Sequence, residues 1–301
     1  MDDGTTFDDH ALATIRRAFA RQMLAVAGID SDPALERAFA TVPRERFLGA
    51  PPWRMVAAHG GGYRTLPSLD PVLAYQDVNF ALAAERGVNN GSPALHARWL
   101  HHAGLWPGAR VAHIGAGTGY YTALMAHLVG PGGHVTAVEF DPALAELARA
   151  NLAEAANVTV VSGDGAAWPQ AMVDCVYVNF LVQRPADPWI ERLAPGGRLV
   201  FPLGVPRPKR SPTGGTHTLY GAGLNIERSR DGYAARWLGP AFFVCGEGAL
   251  ADRPDESIVL KAAFERGGVE FVRSLRWKEP CAPGRCWFSG PDWGLSYDEP
   301  A

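Results

Sequence analysis

The stretch ARVAHIGAGTGYYTALMAHLVGPGGHVTAVEFD, residues 109–141, decides the fold. Val111 to Ile114 is a short apolar run with the length and texture of a buried parallel strand. Gly115, Gly117 and Gly119 follow at alternate positions, and Tyr120 to Val129 then reads as a helix. Gly130-Pro131-Gly132-Gly133 stops that helix, and a second strand, His134 to Val138, ends on Glu139. Strand, glycine turn, helix, strand is a βαβ unit.

Each part points to a nucleoside ligand. Glycines let the chain turn tightly and let a ligand approach the backbone without meeting a Cβ. Free N–H groups at the start of the next helix favour a polar or anionic group. Glu139, at the end of the second strand, is placed to accept hydrogen bonds from two ribose hydroxyls. The spacing Gly115-Ala-Gly117-Thr-Gly119 is GxGxG, whereas pyrophosphate-binding dinucleotide turns read GxGxxG. S-adenosylmethionine has no phosphates, so its turn need not cradle any, and it is the expected cofactor. A nicotinamide oxidoreductase on the same topology is the alternative that this spacing disfavours.

Outward from this unit the alternation continues. Asp141-Pro142 caps a helix to about Glu154, Val158 to Val161 is a third strand, and Gly163-Asp164-Gly165 follows it. Asp164 stands where open α/β sheets bind ligands, and its carboxylate suits an exocyclic amine such as that of adenine. Val173 to Asn179 is a fourth strand, with Asn179 on the substrate side of the crevice. A helix over 186–193 ends at Pro195-Gly196-Gly197, and Arg198 to Leu203 is a fifth strand. Strands alternating with helices predict a doubly wound, Rossmann-like α/β fold. Thr216 to Ile226 and Tyr233 to Cys245 read as two long strands forming a hairpin at the end of the sheet.

Upstream, apolar positions from Leu12 to Val26 have helical spacing, and Asp32-Pro33 opens a second helix stopped by Pro43. Residues 47–74, with Gly60-Gly61-Gly62, read as a loop, and Tyr75 to Leu82 as a short strand. Gly87-Val-Asn89-Asn90-Gly91-Ser92-Pro93 is a polar turn before a helix over 94–103, with Ser92 as its N-cap. Because this turn precedes the cofactor strand, its Asn side chains are also placed to face a bound ligand. The expected organisation is an N-terminal helical and loop region (1–93), a core (94–249) and a C-terminal extension (250–301), with a helix or strand near 257–277.

With 301 residues, 47% hydrophobic and 20% charged, the chain has a globular composition. A net charge of −3 gives no general attraction to nucleic acid or anionic membranes. No apolar run reaches the ~20 residues that span a bilayer, and the acidic start MDDGTTFDDH is not a signal peptide, so the expected location is cytoplasmic. Cys175 and Cys245 sit in apolar runs. Cys281 and Cys286 are spaced for a small disulfide or half a metal site; reduced thiols are expected, and no metal site.

Taken together, these segments resemble the protein-L-isoaspartate O-methyltransferase family, within the class I S-adenosylmethionine-dependent methyltransferases. The matching residues are Val42-Pro43-Arg44 with Phe47, Tyr75 with Asp77, Pro93-x-x-His96-Ala97, and Gly115-Ala-Gly-Thr-Gly-Tyr120. Further matches are Gly163-Asp164-Gly165, Leu193-x-Pro-Gly-Gly-Arg198 and Pro202-Leu-Gly204. The resemblance covers roughly residues 15 to 245. It implies a seven-stranded sheet and a cofactor site lined by Gly115, Gly117, Gly119, Tyr120, Glu139, Asp164, Gly165 and His96.

The departures lie on the substrate side. The family's Thr-Ile-Ser segment is here Asn89-Asn90-Gly91, with Ser92 one place later. Its acid before the glycine motif is His113, and its small run after the fourth strand is Asn179-Phe180-Leu181. Methyl transfer from a sulfonium is an in-line displacement, and a carboxylate is already ionised at pH 7, so it needs no general base. Asn89, Asn90 and Ser92 are therefore the expected catalytic-side donors, acting on a carboxylate of a peptide or protein. An amine or alcohol acceptor would want a base, with His96 or His113 as candidates. A peptide-tailoring methyltransferase of a biosynthetic pathway and a cofactor-binding, non-catalytic adaptor are the other readings.

Overall fold

A computed structural model describes residues 7–57, 62–208, 216–251, 254–282 and 284–300. Two helices open the chain, α1 (Asp9–Val26) and α2 (Pro33–Thr41). Asp8 caps the first by accepting from Ala11 N, and Asp32 the second by accepting from Leu35 N. A hairpin of β1 (Arg54–Val56) and β2 (Tyr63–Thr65) follows, then a smaller one of β3 (Ala81–Ala83) and β4 (Val88–Asn89). Next come α3 (Pro93–Ala103), β5 (Arg110–Ile114), α4 (Tyr120–Val129), β6 (His134–Glu139), α5 (Pro142–Asn151) and β7 (Val158–Ser162). The chain continues through β8 (Val173–Val178), α6 (Asp187–Glu191), β9 (Leu193–Pro206), β10 (Thr218–Ser229) and β11 (Gly232–Pro240). It ends with α7 (Pro254–Arg266), β12 (Ser274–Trp277), β13 (Cys286–Ser289) and β14 (Trp293–Ser296).

One ten-stranded sheet holds the molecule, in the order β7-β6-β5-β8-β9-β10-β11-β12-β14-β13. The first five strands are parallel and the rest antiparallel. The strand order reverses between β5 and β8, which puts a crevice at their carboxyl ends. Alternate residues of the central strands face opposite layers. Val111, Cys175, Tyr177 and Val200 pack with α1–α4, while Ala112, Ile114, Val176, Val178 and Phe201 pack with α6, α7 and the C-terminal aromatics.

The expected α/β, Rossmann-like sheet of seven strands is present as β5–β11, but it is not the whole sheet. The β10–β11 hairpin does not close it, because β12 pairs with β11 and carries β14 and β13 beyond. Pro195-Gly196-Gly197 does not separate helix from strand either; β9 already runs from Leu193. β11 stops at Pro240, which has no N–H to donate, instead of reaching Cys245. Residues 47–74 contain the β1–β2 hairpin, with Gly60 and Gly61 outside the described residues, and Tyr75–Phe80 turns where a strand was expected. Fully buried Arg44 organises that turn: its guanidinium donates to the carbonyls of Ala74 (2.7 Å), Gln76 (2.6 Å) and Val78 (2.8 Å). Cys281 and Cys286 form a disulfide, contrary to the expected free thiols, because the loop returns with their Cα atoms 6.2 Å apart.

Candidate active site

At the crevice the carboxyl ends of β5, β6 and β8 open into a cavity of about 320 Å³. Gly115 starts the turn with φ +78°, and a Cβ there would lie 2.6 Å from the Phe180 ring, so only glycine fits. The N–H groups of Gly115 and Ala116 both donate to Val138 O, which ties the turn to β6. Gly115, Ala116, Gly117, Thr118 and Tyr120 line the cavity. Gly119 is the exception among the motif glycines and is not among the lining residues. It caps α4 and packs against Leu152, so its role is in the turn's geometry.

Glu139 is buried in the cavity wall. Its Oε2 accepts from Gly117 N at 2.7 Å and its Oε1 from Asp141 N at 3.0 Å. Burial raises its pKa above 4.5, and the bonds from Asp141 and Gly117 oppose that rise. Each carboxylate oxygen keeps a lone pair for a ligand donor. Asp164 and Gly165 line the neighbouring part of the wall. Asp164 Oδ1 accepts from Ala166 N and Oδ2 from Ala249 N, both at 2.9 Å, so the carboxylate also anchors the segment that crosses it.

On the opposite side, Asn89, Asn90, Gly91, Ser92 and His96 line the cavity. Their employment differs. Asn89 accepts from Tyr63 Oη at 2.8 Å and donates to Gly87 O at 3.0 Å. Ser92 donates to Asp77 at 2.8 Å and accepts from Leu95 N at 3.3 Å, which spends its hydroxyl hydrogen on the loop and one of its two lone pairs on the cap. Asn90 Oδ1 accepts from Phe80 N at 2.8 Å, but its Nδ2 is buried with no partner among the described residues. His96 is buried, stacks on Tyr121 at 3.7 Å, and has Nδ1 2.8 Å from Tyr177 Oη. Burial pushes its pKa well below 6.5, so the imidazole is neutral.

His113, a base candidate from the sequence, is excluded from that role. Both of its nitrogens are occupied, Nδ1 by Thr122 Oγ1 (2.8 Å) and Nε2 by Asn179 Nδ2 (2.9 Å), and burial lowers its pKa to about 3. Sequence reading missed Asn79, His217 and the segment from Pro240 to Leu250, all of which contribute to the wall. The segment's only local signals were Gly239 (φ +110°) and Pro240, which end β11 where a longer strand was read.

The wall is acidic. Glu139, Asp141, Asp164 and Glu247 line it, and among the described lining residues Arg86 is the one guanidinium or ammonium, paired with Asp141. Such a wall suits a cationic ligand and opposes a pyrophosphate.

The family model described as protein-L-isoaspartate(D-aspartate) O-methyltransferase matches residues 66–211. A protein-L-isoaspartate O-methyltransferase from Aeropyrum pernix is 42% identical over 139 residues, 44% of this chain and 53% of that relative. The chain thus spans about half the length of this relative. The relative from Hyperthermus butylicus is 32% identical over 66% of this chain and 79% of its own length, and that from Methanothermobacter thermautotrophicus 30% over 76% and 93%. A solved protein-L-isoaspartate O-methyltransferase superposes with a TM-score of 0.63 at 20% identity, covering 94% of this chain and 88% of that one. A second, from Plasmodium falciparum and described as a putative member in complex with S-adenosyl-L-homocysteine, gives 0.57 at 17% identity over 77% and 98%. At these identities the superpositions establish the fold.

Proposed function

Since this chain belongs to the protein-L-isoaspartate O-methyltransferase family, we propose that it transfers a methyl group from S-adenosylmethionine to a carboxylate of a peptide or protein. When bound, the cofactor supplies an electrophilic methyl on a positively charged sulfur. The observation that carries this reading is Glu139, a buried carboxylate fixed by two backbone N–H groups in an otherwise acidic wall. It takes the ribose hydroxyls, Asp164 and Gly165 take the base, and the turn from Gly115 to Thr118 admits the sulfur and its tail. Tyr120 and His96 complete the lining.

A carboxylate acceptor needs positioning and shelter from water more than it needs a base. Among the described lining residues the histidines are His96 and His217, both held below 6.5 chiefly by burial, and His113 behind them is fully engaged, so no strong base faces the acceptor, which fits one that is already ionised. With Arg86 paired, the acceptor is held by neutral donors, and among the described lining residues Asn90 Nδ2 and Tyr120 Oη are buried donors with no partner. Asn89 and Ser92 shape the loop that presents Asn90. In this arrangement residues 94–249 form the catalytic core, and the loop residues between Asn79 and Ser92 supply the substrate-facing part of the N-terminal region. Residues 250–301 extend the sheet away from the site; among the described residues none beyond Leu250 lines the cavity.

The test is methyl transfer from labelled S-adenosylmethionine to paired peptides that differ only in an aspartyl or isoaspartyl linkage. Base-labile label, released as methanol, is expected from at least one of them. Firm cofactor binding with no label on any carboxylate-bearing peptide contradicts the proposal and favours the adaptor reading.

A further inference from the structure

Asn179 is the first residue after β8 and lines the cavity. Its Cβ lies 3.6 Å from the point a Cβ on Gly115 would occupy, so the amide stands beside the start of the glycine turn. Its Nδ2 donates to His113 Nε2 at 2.9 Å, and its Oδ1 is buried with no partner among the described residues. A buried acceptor left unpaired costs about 1–3 kcal/mol, so such a group in a cavity wall calls for a donor from the ligand. With the amide nitrogen on His113 Nε2, the neutral imidazole carries its single proton on Nδ1, which then donates to Thr122 Oγ1 at 2.8 Å, and the amide oxygen is the end left free.

The sheet order says which donor arrives. Asp164 follows β7, Glu139 ends β6, the glycine turn follows β5 and Asn179 follows β8, four neighbouring strands in the order β7-β6-β5-β8. A ligand with its base at Asp164 and its ribose at Glu139 therefore points its remaining tail across β5 towards β8. Two strand spacings, about 10 Å, separate the ends of β6 and β8, comparable to the reach from the ribose to the amino-acid tail. We propose that Asn179 Oδ1 accepts a hydrogen bond from the α-ammonium of the methyl donor, with His113 and Thr122 holding the amide in the accepting orientation. This rests on the cofactor reading above, and makes Asn179 a cofactor-binding residue that the glycine motif does not announce.

The experiment is calorimetric titration of wild type, Asn179→Ala and Asn179→Asp with three ligands. These are S-adenosylhomocysteine, its deaminated analogue lacking the α-ammonium, and its decarboxylated analogue keeping it. Asn179→Ala should weaken the first and third by roughly tenfold or more and leave the second within about twofold. Asn179→Asp, which keeps an acceptor oxygen, should restore the preference for ligands with the ammonium. Equal weakening of all three overturns the inference in favour of packing. Weakening that follows the carboxylate overturns it in favour of an amide that donates. Unchanged affinity in Asn179→Ala with a higher KM for the acceptor peptide overturns it in favour of acceptor binding. If wild type does not bind S-adenosylhomocysteine, the cofactor reading and this inference fall together; if wild type binds and the variant loses nothing, only this inference falls.

Discussion

Replacing Glu139 by Gln tests the ribose contact with little change of shape. The wild-type carboxylate already accepts from Gly117 N and Asp141 N, and its remaining lone pairs would each meet a ribose hydroxyl. A hydrogen bond to a charged acceptor contributes about 1.5–3 kcal/mol, against about 0.5–1.5 for a neutral one. The difference is about 1–1.5 kcal/mol per hydroxyl, or about 2–3 for the pair, which is roughly a 30- to 150-fold loss of affinity. Calorimetric titration with S-adenosylhomocysteine measures it, and a ribose-deoxygenated analogue supplies the control. The Gln amide nitrogen cannot accept from Gly117 N or Asp141 N, so the analogue's loss in Glu139→Gln measures that unpaired backbone N–H, and the intact compound should lose the stated factor beyond it. The pH dependence has a defined sign. Burial raises the Glu139 pKa above 4.5, so wild-type affinity should fall as pH drops towards that raised value, while Glu139→Gln stays flat. An affinity for the intact compound within threefold of wild type would refute the assignment of Glu139 to the ribose.

Three further outcomes are expected. Gly91→Ala should cost about 1–2 kcal/mol for a side chain at φ +79°, and more because its Cβ would collide with His96 Nε2; the melting temperature and cofactor affinity should fall together, whereas a wild-type melt would contradict the packing. Ser92→Ala should lower stability by about 1 kcal/mol through the lost cap and change kcat less than twofold, since the hydroxyl is already engaged by Asp77 and Leu95; a tenfold fall in kcat at unchanged stability would return it to the chemistry. The His113 pKa is about 3 when folded and 6.5 when unfolded, so the unfolded chain binds more protons between those values. Stability should be full above pH 6.5 and decline as pH falls, by up to about 1.4 kcal/mol per unit from this residue, with His96 shifted in the same direction. Urea unfolding of His113→Asn between pH 7 and 5 should show a correspondingly flatter slope; an unchanged slope contradicts it.

The cavity wall formed by Gly115, Glu139 and Asp164 is legible because its residues are local in sequence. Gly115, Glu139 and Asp164 sit at strand ends that periodicity and glycine spacing locate, and Tyr120–Val129 is helical over the span that pattern predicts. The substrate side depends on contacts between residues far apart in the chain. That Ser92 is engaged by Asp77, Asn89 by Tyr63, and His113 by Asn179 is invisible until the fold brings together positions 15 to 66 residues apart. Residues 240–245 differ from the expected strand for a related reason: their apolar character suggests a strand, while the segment they open neighbours the loops at Leu181 and Asp164. The C-terminal strands were illegible because they are short, four residues each, and take their register from β11 and from one another.

The most direct measurement is a crystal structure of this chain with S-adenosylhomocysteine at saturating concentration. The ribose hydroxyls should lie on the two oxygens of Glu139, the base beside Asp164 and Gly165, and the amino-acid tail should run past Gly115 to Asn179. A saturated crystal with that cavity empty, or with the compound bound elsewhere, contradicts this placement.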